Sequence, residues 1–285
     1  MDFIRCPICN DRARGAGTKR KFEIYRCQSC RHLFVWPPPG DPLRIYSSEY
    51  FSGASEGFGY TDYDRDKEPL IPTFLEYLRR IQAIAGKGAM LDVGAATGFF
   101  LDLARGQGWR VQGVEPSDHA ASLARAKGID VRTGVIESCD APSKSFDAIT
   151  MWDVIEHLPD PAATMGRVAE LLKPGGVVAI NTPDSGSALA TLMGENWHLV
   201  VPPERLNLFH RRSLRVLLEK QGFEILQTTS LGKRFTLQYI AQTLSHWWNI
   251  KPIEAAHRRL RTMRAGQWSV PLNLLDNVFV LARKR

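Results

Sequence analysis

From Met90 to Thr182 the chain alternates short apolar runs with amphipathic helical stretches, and few architectures accept that order. The runs are MLDV near 90–93, RVQGVE near 110–115, DVRT near 130–133, FDAITMW near 146–152 and VVAINT near 177–182. Between them lie TGFFLDLARGQG, SDHAASLARAKG and PDPAATMGRVAELLKPGG. In the third, Asp160 suits an N-cap, Pro161 the first helical position and Pro174-Gly175-Gly176 the stop. Such βα alternation predicts an α/β fold with a parallel sheet covered by helices on both faces, and ligands of such sheets sit beyond the carboxyl ends of the strands. Upstream, LIPTFLEYLRRIQAIA has helical spacing at Leu70, Phe74, Leu78, Ile81 and Ile84 and stops at Gly86. Downstream, RRSLRVLLEKQGFEILQTTS reads as a helix and a sixth strand, and DNVFVLARK as a last strand. An insertion at about 231–274 separates them, and its TLQYIAQTLSHWW and IEAAHRRLRTMR are expected to form helices over the substrate side.

The first strand runs into Leu91–Phe99, LDVGAATGF. Read from Gly94, this loop fails the dinucleotide pattern G-x-G-x-x-G at its last glycine, and it lacks the Gly-Lys-Ser/Thr of a phosphate loop. Gly94, Ala96 and Gly98 still let backbone approach a ligand closely. Seventeen residues past Gly98 the second strand ends in Glu115, an acid placed to accept from ribose hydroxyls. Asp92 adds negative charge where a cationic or amino-bearing ligand would be stabilised. The pocket therefore suits a nucleoside that brings no pyrophosphate.

Four of the five cysteines lie in the first 30 residues, as Cys6-x2-Cys9 and Cys27-x2-Cys30. Two such knuckles separated by 17 residues have the spacing of a four-thiolate zinc site. Four sulfurs leave no open coordination position, so the expected Zn2+ is structural. Cys139 stands alone and reads as a small core or loop residue. The ribbon is expected over 1–36 and a Pro-rich linker and lid segment over 37–68, before a catalytic unit over 69–285. No run approaches the apolar length of a membrane span and no signal peptide opens the sequence, so the expectation is a soluble, cytoplasmic protein. The net charge of +7 is concentrated at the ends, with eight basic against three acidic residues in 1–35 and eight against two in 251–285. Solvated lysines and arginines account for this more simply than a polyanionic partner.

The loop and its neighbours resemble the class I S-adenosylmethionine-dependent methyltransferases. LDVGAATG looks like their motif I, VEPS like their acidic second-strand end, SFDAITMWDVIEHLPDP like their fourth strand and turn, and LLKPGGVVAINTPD like their fifth-strand segment. The four motifs fall in order over residues 89–184. The resemblance implies a Rossmann-like, mostly parallel sheet whose last strand is antiparallel, behind a small N-terminal zinc ribbon. It implies that Asp92, Gly94, Ala95 and Gly98 line the methionine part of S-adenosylmethionine, that Glu115 takes the ribose and that Pro116 packs near the adenine. Ile136 and Glu137 would meet the adenine edge, with Met151 and Trp152 beside the sulfonium. Tyr46, Tyr50 and Phe51 could fold over it as a lid, because aromatic faces attract a cation, or simply pack as linker residues.

With the ribbon and the tail PPERLNLF, the chain is similar to a bacterial group associated with sugar modification. That group includes sugar C-methyltransferases and, more distantly, ubiquinone-type O-methyltransferases. Its tail motif often carries His where this chain has Arg205. The implied activity is methyl transfer from S-adenosylmethionine to a small-molecule acceptor, a sugar, nucleotide sugar or related metabolite. A zinc-ribbon RNA methyltransferase is the alternative, and nucleic acid is disfavoured because no Asn-Pro-Pro-Tyr type of motif follows strand four. A binding protein that only senses S-adenosylmethionine, and peripheral membrane contact through LSHWWNIKP, are further readings. His157, His198 and His210 are the candidate catalytic bases. Asp153, Glu156 and His157 could instead hold a divalent metal, although three residues of one loop are a weak metal signal.

Overall fold

A computed structural model describes residues 3–40, 63–231, 233–236, 268–272 and 275–285, with positions 241 and 263. Tyr46, Tyr50 and Phe51, the segment LSHWWNIKP and most of the 231–274 insertion lie outside these residues. Strands β1 (Ala13–Lys19), β2 (Phe22–Cys27) and β3 (Leu33–Val35) form the ribbon. Helices α1 (Tyr63–Lys67) and α2 (Ile71–Ala85) lead to β4 (Ala89–Val93). There follow α3 (Phe99–Gly106), β5 (Arg110–Glu115), α4 (Asp118–Ala126), β6 (Asp130–Thr133) and β7 (Phe146–Trp152). The chain continues with α5 (Pro161–Leu171), β8 (Leu172–Pro183), α6 (Ala188–Met193), β9 (Asn207–Leu208), α7 (Arg211–Lys220) and β10 (Phe223–Thr229). It ends in β11 (Lys233–Thr236), β12 (Ser269–Leu272) and β13 (Asn277–Lys284).

Seven strands make one sheet in the order β10-β13-β8-β7-β4-β5-β6. Its ladders are parallel except where β13 runs antiparallel to both neighbours. The Rossmann-like sheet with an antiparallel last strand is therefore present. Central strands buried on both faces need apolar side chains at nearly every position, and β7 supplies them: Phe146, Ala148, Ile149, Thr150 and Met151 are at most 2 % exposed. The chain leaves β4 for β5 on one side and returns as β7 on the other, which opens a crevice beyond the ends of β4 and β7.

Local signals explain most of the boundaries. Asp160 Oδ1 accepts the N–H groups of Ala162 and Ala163 at 3.0 Å, and Pro161 opens α5 as expected. The end differs from expectation. Helix α5 stops at Leu171 rather than at Pro174-Gly175-Gly176, because Leu172 already pairs with Phe146 in the sheet. The register then slips so that Val177 opposes Ala148, and Gly175 at φ +75 lies in the bulge. At the ends of the insertion β11 and β12 form a two-stranded antiparallel ladder, flanking the two segments expected as helices, most of which lie outside the described residues.

The ribbon sheet does not close within residues 1–36. Strand β9, from the second half of the chain, pairs with β3 through Leu33↔Leu208 and Phe34↔Asn207 and becomes its fourth strand. Among the described residues no helix is long and apolar enough to cross a membrane.

Candidate functional site

The crevice holds a cavity open to solvent, bordered by the motif loop (Asp92, Gly94, Ala95), by Trp152, Asp153 and Asn181, and by α1 and α2. The loop makes its turn with Gly94 at φ +71, Ala96 at φ +48 and Gly98 at φ +76. A Cβ on Gly94 would stand 2.6 Å from Val154 Cγ2, so glycine is required there for space as well as for conformation.

Glu115 fixes the loop from the neighbouring strand. Its Oε2 accepts Ala96 N–H at 2.8 Å and its Oε1 accepts Ser117 N–H at 2.9 Å. Burial raises its pKa against those two hydrogen bonds, and each oxygen keeps a lone pair for a further donor. Asp92 is buried at the edge of the cavity, with Thr150 Oγ1 donating to its Oδ1 at 2.6 Å. Burial, with the Glu115 charge as a smaller cause, pushes the Asp92 carboxyl up to about 8 against the Thr150 hydrogen bond. A neutral acid at the end of β4 is poised to ionise for a positively charged ligand. The implied cofactor fits these residues: a carboxyl for an ammonium and an acid at the second strand end for a ribose. Trp152 Nε1, at the cavity wall, is buried without a hydrogen-bond partner in the protein.

An aromatic wall faces the loop. Trp152 stacks on Tyr77 with centroids 4.7 Å apart and interplanar angle 7°, and Phe100 meets it edge-on at 4.8 Å. Tyr77 in turn stacks on Phe279 of β13 at 4.6 Å. The polar part of the wall is a line of hydrogen bonds: Tyr77 Oη donates to Asn181 Oδ1 at 3.0 Å, and Asn181 Nδ2 donates to Asp153 Oδ1 at 2.7 Å. Helix α1 is tied down over the loop by Asp64, which accepts from Thr97 Oγ1 at 2.5 Å and from Lys127 Nζ.

Several expected site residues face elsewhere. Met151 is fully buried in the sheet, and Trp152 alone of that pair reaches the cavity. Glu115, Pro116 and Gly98 do not border it. The Ile136 side chain packs in the core beside Val114, and the Glu137 carboxylate accepts from Thr164 Oγ1 of α5. The three candidate histidines lie away from this cavity. His157 is held by the Glu204 carbonyl at 2.7 Å from Nδ1, and burial lowers its pKa to about 4. His198 lies 4.0 Å from Asp276 and is likewise lowered to about 4 by burial. His210 caps α7, its Nδ1 accepting from Arg212 N–H at 3.0 Å. None of the three borders the cavity.

Nor do Asp153, Glu156 and His157 converge as metal ligands. Asp153 is engaged by Asn181, while buried Glu156 accepts from Thr182 Oγ1 at 2.8 Å and has Arg205 Nε at 3.7 Å and His157 Nε2 at 3.8 Å. Burial pushes the Glu156 carboxyl up to about 7, with Asp153 adding to the rise and Arg205 opposing it. Arg205, at the position where the sugar-modifying group often has His, thus serves as counter-ion to a buried acid.

Among the described residues the one group arranged for a metal is Cys6, Cys9, Cys27 and Cys30, whose sulfurs all lie within 4.8 Å of one another. Cys6 Sγ is 3.6 Å from Cys30 Sγ, and Cys9 Sγ is 3.3 Å from Cys27 Sγ. Beyond these ligands the ribbon is bonded to the turn after β7. Fully buried His32 shares a 3.0 Å hydrogen bond between its Nε2 and Asn207 Oδ1, and Asn207 Nδ2 donates to the Leu158 carbonyl at 2.7 Å. Leu206 N–H donates to the Glu156 carbonyl at 2.9 Å, and Val35 N–H to the Leu206 carbonyl at 2.9 Å.

Sequence reasoning missed Tyr63, Lys67, Thr73, Tyr77 and Asn181 as cavity residues. Tyr77 did carry a signal, since it is an aromatic one position off the apolar stripe of its helix. A family model described as methyltransferase domain matches residues 63–228. The ubiquinone biosynthesis O-methyltransferase of Nitrosococcus oceani is 28 % identical over 194 residues, 60 % of this chain and 82 % of that protein. The protein of the same name from Hahella chejuensis is 25 % identical over 209 residues, 65 % of this chain and 85 % of its own. Among solved structures, a SAM-dependent methyltransferase from Archaeoglobus fulgidus superposes with a TM-score of 0.52 at 19 % identity, covering 78 % of this chain and 97 % of that one. The YcgJ protein of Bacillus subtilis gives 0.52 at 18 %, covering 75 % and 98 %. At these identities the structural likeness concerns the fold.

Proposed function

The chain belongs to the methyltransferase-domain family and is a class I S-adenosylmethionine-dependent methyltransferase, and on that premise we propose that its acceptor is a small molecule, a sugar, nucleotide sugar or related metabolite. The observation that carries this reading is the shape of the site. Beyond β4 and β7 lies a recess walled by Trp152, Tyr77 and Phe100 and roofed by α1 and α2, with the Asp153–Asn181 pair inside it. Such a recess suits a discrete molecule with a few polar groups better than a polymer strand. Relatives named for O-methylation in ubiquinone biosynthesis support a small acceptor without selecting the sugar.

The cofactor supplies a methyl group on a sulfonium, and the protein's work is chiefly alignment. Asp92 would meet the charged methionine end and Glu115 the ribose, with the Trp152 indole at the wall beside them. The same reading takes the four cysteines as a structural Zn2+ site, on the convergence of four sulfurs. The RNA alternative is less well supported. Two ribbon-facing lysines are spent on protein contacts, Lys19 on the Glu195 carbonyl at 2.9 Å and Lys220 on the Ile8 carbonyl at 2.9 Å. Purified protein given methyl-labelled S-adenosylmethionine and cell extract should label compounds below a few kilodaltons, with or without ribonuclease. Label found in RNA alone, and lost on ribonuclease treatment, would reverse the choice of acceptor.

A further inference from the structure

Asp153 is the first residue beyond β7, beside the cavity tryptophan, and it takes φ +56. A left-handed conformation is unfavourable for a residue other than glycine, so the surroundings must hold it. They do so from one direction. The Asp153 N–H donates to the Asn181 carbonyl at 2.9 Å, and its Oδ1 accepts from Asn181 Nδ2 at 2.7 Å. The orientation of that amide is fixed in turn by Tyr77, whose hydroxyl donates to Asn181 Oδ1 at 3.0 Å and leaves the nitrogen toward the carboxylate. Two residues, Tyr77 from α2 and Asn181 from β8, thus aim the Asp153 carboxylate, and all three border the cavity.

Among the described residues bordering that cavity, the carboxylates are Asp92 and Asp153, and no histidine is present. Asp92 is committed at the motif loop, where Thr150 holds it and where, on the reading above, the ammonium of the cofactor takes its charge. We propose that Asp153 is the residue that receives the acceptor's hydrogen in the transfer step, and that Asn181 is the positioning residue that aims it. The acceptor is then a hydroxylated small molecule whose reacting O–H bonds to the Asp153 carboxylate. As the oxygen lone pair forms the new O–C bond, the S–CH3 bond breaks with its electron pair going to sulfur, and the hydroxyl proton passes to Asp153. The inference rests on the small-molecule reading above. Among the described residues, the titratable and charged groups around Asp153 include Tyr77 from α2, Lys67 from α1, Asp92 from β4, Glu156 and His157 from its own turn, and Arg205 beyond Glu156.

The test compares wild type with Asp153→Asn and Asn181→Asp. Asparagine tolerates the left-handed backbone, so the first variant should fold. The measurements are calorimetric affinity for S-adenosylmethionine and label transferred from methyl-labelled S-adenosylmethionine to the small-molecule fraction of cell extract across pH. The inference expects Asp153→Asn to bind the cofactor within about twofold of wild type while kcat falls about 100-fold or more, the size of a general-base contribution. It expects Asn181→Asp to move the acidic limb of the pH profile upward by about one unit, since a second carboxylate raises the pKa of the first. Transfer by Asp153→Asn within about threefold of wild type, or an unmoved profile in Asn181→Asp, would overturn the inference and leave the small-molecule reading standing. Absence of label from the small-molecule fraction with the wild type would overturn both.

Discussion

Binding of S-adenosylmethionine should release a proton from Asp92. With its carboxyl at about 8, Asp92 is about nine-tenths protonated at pH 7. A ligand ammonium at that end of the cavity favours the ionised form, and if the pKa returns to its ordinary value near 4 the complex holds no proton there. About 0.9 proton is then released per site at pH 7. The apparent affinity rises roughly tenfold per pH unit below the free-state pKa and levels off above it. Calorimetry at pH 7 in phosphate and in Tris, whose ionisation heats differ, reads the proton directly, and titrations from pH 6 to 9 read the slope. Asp92→Asn should abolish both effects. The same group predicts the ligand-free protein's pH dependence. Because the folded pKa lies above the unfolded value, the native state binds the extra proton, and stability is lost as pH rises from about 4 to about 8. Up to about 4 kcal/mol is lost by pH 7 at 1.36 kcal/mol per unit. Buried Glu156, raised to about 7, acts in the same direction. Equal binding enthalpies in the two buffers, with an affinity flat from pH 6 to 8, would refute the assignment of Asp92 to the charged end of the cofactor.

Glu115→Ala strips the acceptor from two buried N–H groups, Ala96 and Ser117, and should cost about 2–6 kcal/mol in urea unfolding together with measurable cofactor affinity. Unchanged affinity by calorimetry would remove Glu115 from the site. Asn207→Ala leaves the His32 ring and the Leu158 carbonyl without their shared partner in a buried seam, again about 2–6 kcal/mol, and a loss below about 1 kcal/mol would contradict the seam as drawn. Chelation should release one metal ion per chain and raise amide exchange at Val35 and Leu208; retained protection with no metal in the dialysate would count against the four-thiolate site.

Where the sequence was legible, local chemistry decided the outcome. Asp160-Pro161 started a helix, RVQGVE and FDAITMW became strands with the expected bounds, and Gly94 and Gly98 turned the loop after β4 at positive φ. The end of α5 was not legible, because pairing of Leu172 with Phe146 overrode the Pro-Gly-Gly signal two residues later. The surroundings of the histidines were not legible for a similar reason. The partners of His157 and His210 include backbone groups supplied by folding, the Glu204 carbonyl and the Arg212 N–H. Asn181 lay inside an apolar strand run and Tyr77 inside an amphipathic helix. Only the sheet order brings one under the other, across 104 residues of sequence.

The seam between β3 and β9 also sets a timetable for synthesis. His32 and Asn207 are 175 residues apart. A chain leaving the ribosome therefore completes the cysteine knuckles early and then carries β3 as an uncovered edge until most of the sheet has been made. Such an edge can pair with a neighbouring nascent chain. Early metal capture would hold the ribbon compact through that interval, so zinc-poor growth should first reduce the yield of soluble protein, ahead of the activity of the molecules that do mature.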